Sequence, residues 1–436
     1  MARPAERTAH RASILTFRSD PGESDDAGSF DYWPDGVLVV ANGKVEAVGA
    51  ASDLLASRNV QDLTEHRDSL IIPGFIDTHI HFPQTDVIAS GGRSLLEWLE
   101  RYTFPAEARF VDREHASEVA EFFLDELLAN GTTTAQGLGT MHAEATDAFF
   151  ESAARRSLRM IAGKVLMDRH SPENLRDTVD QGERDTRELI DKWHGKDRLH
   201  YAITPRFAPT SSDEQLASAG RIAAEYPTVY VHSHLAENHE EIAWVRKLFP
   251  DCDTYTEVYD RFGLLRDRAT YAHCLHLDAL DRRRLANSGA TAAFCPTSNL
   301  YLGSGLFDIE AADAAGLKFS LATDVGGGSS FSMLRTMGEA YKVAQLRHQR
   351  LTPLRAFYLA TLGGARALGL QDRIGHLAPG AEADFVVLDL NATPLLARRN
   401  AQCKSLSEKL LLAMILGDDR SIAATHILGQ RVTRST

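Results

Sequence analysis

A chain of 436 residues, 44% of them hydrophobic, can bury a large core, which excludes a fibrous or disordered polypeptide and leaves room for one large domain beside a smaller one. With 60 acidic against 47 basic side chains, a net charge of −13, it has no general basic field for a polyanion, so nucleic acid is not an expected partner. Cys252, Cys274, Cys295 and Cys403 are scattered, residues 1–20 are charged, and no run of about 18 apolar residues is long enough to span a membrane, so the expectation is a soluble cytoplasmic protein with reduced thiols and no membrane association.

Short β-prone runs at 14–17, 30–33, 36–40 and 43–48 predict a small sheet, with Asn42-Gly43 as a hairpin turn between the last two. A helix predicted over 51–59 leads into the apolar run 70–84, read as one buried strand that carries His79-Ile80-His81. A period of two puts both imidazoles on one face while Ile80 points away, so both can address one divalent ion of the Zn²⁺ type. The pair by itself is equally compatible with a core histidine beside an incidental one.

Seven further apolar runs follow, at 131–136, 159–167, 199–206, 228–234, 269–273, 291–295 and 317–324, most of them after amphipathic stretches. Eight strand-loop-helix units at a spacing of about 25 to 40 residues predict an α/β fold of the (β/α)₈ TIM-like barrel class. An open doubly wound sheet is the rival; it has difficulty drawing metal ligands from both its first and last strands. Between the first two runs lies Leu95-Leu96-Glu97-Trp98-Leu99-Glu100-Arg101-Tyr102-Thr103-Phe104-Pro105, whose rings are placed either to cover a planar substrate or to pack the first helix on the barrel. The triple glycine 326–328 lacks a P-loop lysine and reads as a loop of close approach. Towards the end, helices over 353–360 and 365–369 flank Gly363-Gly364, and strands at 384–389 and 424–428 are expected to join the N-terminal sheet. The division is then a small composite β domain from 1–68 and 375–436 around a barrel at 69–374.

His232-Ser233-His234-Leu235-Ala236-Glu237 places two histidines on one strand face. His234, where the apolar strand gives way to a polar loop, is preferred over His232 as a third nitrogen ligand. Glu237, three residues on, is positioned to take a proton from water and return it to a leaving group. His239 and Glu240 read as a solvated face. His273 ends another strand and can orient water, whereas His276 belongs to the loop beyond and Cys274 reads as packing. Asp324 ends the last strand and offers the oxygen that completes a set of His79, His81, His234 and Asp324 around one ion with water beside it. Lys164, within an apolar strand, is a candidate for a carboxylated lysine bridging two metals. It is expected to stay unmodified, as a structural or ion-paired residue.

Together Pro73-Gly74-Phe75-Ile76-Asp77-Thr78-His79-Ile80-His81, His234-Leu235-Ala236-Glu237, His273 and Thr323-Asp324 resemble the metal-dependent amidohydrolase superfamily over almost the whole chain. Phe82-Pro83-Gln84, the segment 98–105, Ile203-Thr204-Pro205-Arg206-Phe207 and Cys295-Pro296-Thr297-Ser298-Asn299-Leu300 are similar to its guanine deaminase family. The resemblance implies a mononuclear aminohydrolase with one Zn²⁺ per subunit, often a homodimer, in which activated water attacks C2 of guanine to yield xanthine and ammonia. It also implies that His79, His81, His234 and Asp324 hold the metal, and that Glu237, His273 and Asp324 are catalytic. Gln84, Trp98, Leu99, Arg206, Phe207, Glu237 and Asp324 then meet the substrate, Arg206 at the C6 carbonyl and Gln84 at the ring or amino edge. Phe207 either borders the purine or packs in the core, and Asn299 either fixes its loop or reaches the ligand. Deamination of another purine or aminated heterocycle, and hydrolysis of a cyclic amide or triazine, are the neighbouring readings. A metal-stabilised binding module is the reading from a different class, and Glu237 with His273 argues against it, because a closed structural site needs no proton shuttle.

Overall fold

The computed structural model describes residues 7–57, 62–91 and 95–432. Its strands, in chain order, are β1 Arg7–Phe17, β2 Phe30–Ala41, β3 Lys44–Ala50, β4 Leu63–Pro73, β5 Phe75–His81, β6 Thr132–Leu138, β7 Arg159–Gly163, β8 Val165–Leu166, β9 His200–Pro205, β10 Tyr230–Leu235, β11 Ala269–His273, β12 Thr291–Phe294, β13 Lys318–Leu321, β14 Phe385–Asp389, β15 Ile422–Ile427 and β16 Gln430–Arg431.

Both chain ends build the smaller sheet, in the order β16-β15-β14-β4-β1-β2-β3. The runs expected at 30–33 and 36–40 form the single strand β2, and a register shift against β1 between Ala12 and Ile14 absorbs the irregularity at Pro34. Asn42 and Gly43, at φ 53° and 75°, make the anticipated tight turn into β3. The next helix is Ala51–Ser57, and residues 58 and 59 of the expected helix lie outside the described residues.

The run 70–84 is not one strand. Residues up to Pro73 pair with β14 in the small sheet, and from Phe75 the chain pairs with β6 in the barrel. Gly74 makes the handover, where a Cβ would stand 2.1 Å from the hydroxyl oxygen of Thr133. A run buried on both faces has the same apolar pattern in either sheet, so composition did not mark the change. The expected boundary between 68 and 69 consequently falls inside β4.

Among the described residues the barrel sheet runs β13-β12-β11-β10-β9-β7-β6-β5, all pairs parallel, with β8 attached to β9. The run 159–167 is broken between β7 and β8 at Lys164, whose buried ammonium pairs with Asp177 and lies 3.9 Å from Asp185. The ring nearly closes just beyond β13: the Asp324 N–H donates to the His79 carbonyl (2.9 Å) and the His81 N–H to the Val325 carbonyl (2.7 Å). Buried Asp77 accepts from the backbone N–H groups of His79 and Thr323 and from the Thr323 hydroxyl, tying the first strand to the last. Helices pack outside. In Arg113–Ala129, capped by Asp112, the buried positions 116, 119, 120, 123, 124, 127 and 128 form one apolar stripe against the sheet. Gly363 and Gly364 do not separate two helices but lie within Leu362–Ala367, where the backbone passes close beneath Ile76. Helices Pro394–Asn400 and Leu406–Leu416 were not anticipated, although Thr393-Pro394 and Ser405-Leu406-Ser407-Glu408 carry start signals. Among the described residues no helix is long and apolar enough to cross a membrane.

Candidate active site

β5 delivers His79 and His81 to the inside of the barrel, while Ile80 packs into the outer core. β10 supplies His234 from its C-terminal end and the turn after β13 supplies Asp324. Their donor atoms converge: Asp324 Oδ1 lies 3.1 Å from His79 Nε2 and 3.3 Å from His81 Nε2, and His81 Nε2 lies 3.2 Å from both His79 Nε2 and His234 Nε2. The outward nitrogens are held, His79 Nδ1 against His232 Nε2 at 2.8 Å, and His234 Nδ1 donating to the Arg206 carbonyl at 2.6 Å. That second bond leaves His234 Nε2 a bare acceptor pointing at its neighbours.

Burial lowers His79 to about 4, lowers His81 and drives His234 well below the ordinary imidazole value. Burial works against the Asp324 carboxylate, but His79, His81 and His273 outweigh it and hold this group well below the usual range. Imidazoles whose burial disfavours their charging, converging with an ionised carboxylate on one point, suit a divalent cation. The four side chains, with donors within 4.8 Å of one another, form a divalent-metal site.

Beside it stands an acid–base pair. Glu237 follows a left-handed turn at Ala236 (φ 52°), and its Oε1 accepts from Ser304 Oγ at 2.8 Å. His273 donates through Nδ1 to Asn299 Oδ1 (2.9 Å), so its Nε2 faces Glu237 Oε2 at 3.4 Å and Asp324 Oδ2 at 3.8 Å. Burial pushes the Glu237 carboxyl up. Burial opposes charging of His273, but Glu237 and Asp324 override it and raise the imidazole. His273 and Asp324, like Ala236, adopt positive φ without being glycine, local strain that clusters at the strand ends forming the site.

The pocket above the donors is walled by Gln84, Trp98, Leu99, Arg206, Phe207 and Gly327, together with His81, His234, Glu237, Glu241, His273, Asp324, Leu95 and Leu302. All the expected substrate-facing side chains are therefore brought to one cavity; His79 lies behind it. Trp98 and Leu99 come from the helical segment between β5 and β6, Arg206 and Phe207 from the end of β9. Gly327, in the triple-glycine loop, is part of the wall. His239 and His276 lie against each other, ring centroids 4.0 Å apart and tilted by 38°, outside the donor cluster, and Lys164 remains with its two aspartates.

Sequence reasoning missed Glu107 and Glu241. Glu107, fully buried on the helix Phe104–Ala108, accepts from Arg206 Nη1 and from Gln84 Nε2. Glu241 accepts the Glu237 N–H at 2.8 Å and closes a capping box with Asn238, and burial raises its carboxyl to about 7. The spacing Asn238-x-x-Glu241 was a visible signal for the second; nothing local marked the first.

A parallel barrel that gathers three histidines, an aspartate and a buried acid–base pair at the C-terminal ends of its strands defines the class of metal-dependent hydrolases. The family model described as "Amidohydrolase family" matches residues 70–432. A guanine deaminase of Escherichia coli K12 is 49% identical over 409 residues, covering 93% of each chain. The solved E. coli guanine deaminase superposes with a TM-score of 0.96 at 47% identity, over 98% of this chain and 100% of that one. A guanine deaminase from C. acetobutylicum, solved with guanine in its active site, gives 0.89 at 28% identity over 98% and 100%. The chain belongs to the amidohydrolase family and, within it, to the guanine deaminases.

Proposed function

We propose that the chain hydrolyses guanine to xanthine and ammonia, with one zinc ion per subunit held by His79, His81, His234 and Asp324. The observation that carries this reading is the pairing of that donor set with Glu237 and His273 in one pocket that also offers Arg206 and Gln84. Zinc, when bound there, supplies a Lewis acid that lowers the pKa of water towards neutrality.

The side chains then divide the work. Arg206 donates to the C6 carbonyl and Gln84 meets the ring edge, so C2 is turned toward the acid–base pair. Trp98, Leu99 and Phe207 cover the purine and exclude bulk water. Glu237, its carboxyl raised by burial, takes one proton from the attacking water and delivers it to N3, then takes the second from the hydroxyl so formed at C2 and delivers it to the departing amino nitrogen. His273 and Asp324 accept or donate hydrogen bonds that orient the water during attack. Water adds at C2, the C2–N bond breaks, and the amine leaves as ammonia.

Separate ammonia assays on guanine, adenine, cytosine, pterins and cyclic amides, with chromatographic identification of xanthine, test the proposal. Ring opening, or ammonia from a different heterocycle alone, would replace it. The proposal extends to a homodimer, which mass measurement in solution would exclude by finding monomer only. It also extends to a cytoplasmic location, for which the free state of Cys252, Cys274, Cys295 and Cys403 is a support.

A further inference from the structure

Glu107 sits behind the pocket wall rather than in it, yet it touches two of the residues that form the wall. A carboxylate only accepts hydrogen bonds, so Gln84 must turn its amide nitrogen toward it, at 3.0 Å. At the other end of the same amide, the Gly326 N–H reaches Gln84 Oε1 at 3.3 Å, and a backbone N–H only donates. Two independent neighbours thus dictate one orientation of Gln84. Arg206 commits Nη1 to both Glu107 oxygens, at 2.9 and 2.7 Å, with the Phe104 ring 5.5 Å beneath its guanidinium carbon. Its remaining nitrogens are left as donors.

We propose that Glu107 is a specificity-determining positioning residue, which by accepting from both Gln84 and Arg206 fixes an acceptor beside a donor at the pocket wall. Such a pair reads the N1–H and C6=O edge of a 6-oxopurine and rejects a ring whose edge is reversed, with a bare N1 and a 6-amino group. The inference rests on the guanine reading above and deepens it. A glutamine at 107 would donate as well as accept, which leaves only the 3.3 Å Gly326 contact to oppose a turned-over Gln84 amide, so the discrimination would narrow.

Guanine and 2,6-diaminopurine both carry the 2-amino group that is removed and differ in that edge. Steady-state kcat and KM for both, with an inhibition constant where diaminopurine is not turned over, are to be measured for wild type, E107Q, Q84L and the double variant, alongside metal content. For E107Q we expect KM for guanine to rise about tenfold or more with kcat less affected, and the preference for guanine to narrow by at least about tenfold. In the Q84L background the further effect of E107Q on preference should shrink to less than about threefold. A purely structural role would weaken both purines equally. An unchanged preference in folded, metal-loaded E107Q overturns the inference while leaving guanine deamination intact; wild-type protein inactive on guanine overturns both. Should E107Q fail to fold, E107D, which draws the carboxylate back from both partners, decides in its place: narrowed preference with metal content retained supports the assignment, and wild-type preference overturns it.

Discussion

His79 and His234 are each gripped at the ring nitrogen that faces away from the donor cluster, one by His232 and the other by the Arg206 carbonyl. Such partners fix ring orientation and tautomer, so His232→Phe should weaken metal binding by about 10- to 100-fold while leaving the four donors in place. Competition with a chelator of known affinity measures this; wild-type affinity would show the His232 contact to be dispensable. Glu237→Gln keeps the size of the side chain but cannot carry a proton. Turnover should fall by about 100- to 10,000-fold with metal content unchanged, and near-normal turnover in folded E237Q would move the search for the shuttle elsewhere. Arg206→Ala removes a charge-assisted contact worth about 2 to 3 kcal/mol, so kcat/KM for guanine should drop by about 30- to 160-fold. It also leaves the buried Glu107 carboxylate without its cation, so R206A should melt well below wild type; removal of one member of a buried ion pair costs about 3 to 5 kcal/mol. Full catalytic efficiency in R206A would remove it from recognition.

The residues proposed to carry the chemistry were legible as candidates because strand ends coincide with a change from apolar to polar residues: His79 and His81, His234 and Glu237, His273, and Asp324 each stand at such a change, and the fold brings them together. Glu107 was not legible, since its partners lie 23 and 99 positions away and its helix is too short to show a period. The handover at Gly74 was hidden for a different reason: β4 and β5 are both apolar there, and only the third dimension distinguishes their sheets. This element-level assignment has its own test. A valine at 74 would force its Cβ into Thr133, so G74V should be destabilised by about 1 to 3 kcal/mol or more, read as a lowered urea midpoint at unchanged m-value. Wild-type stability would mean that the two strands can separate without loss, against the packing described.

Across the whole molecule the two chain ends meet in one sheet, and that sheet contains a second group of histidines remote in sequence from one another. His10 on β1 hydrogen-bonds His66 on β4 at 3.1 Å and lies edge-on to His426 of β15, whose ring stacks on Phe385 at 4.2 Å. Burial, reinforced by the neighbouring imidazoles, pulls His10 down to about 3; burial takes His426 down to about 4, and burial with the charge of Arg431 lowers His66. A folded value below the ordinary 6.5 means that the unfolded chain binds these protons more readily. The associated stability is therefore present above pH about 6.5 and is lost progressively as pH falls towards 3 to 4. Because this sheet joins residues near both ends of the chain, charging it should loosen the grip of β1 and β15 on β14 and β4. The melting temperature is expected to fall steeply between pH 6.5 and 4, and a His10→Phe variant, with no imidazole to charge at the centre of the group, should lose less over the same interval. Parallel pH–stability curves for wild type and H10F, recorded with the metal site fully loaded, would instead assign the acid sensitivity to groups elsewhere in the fold.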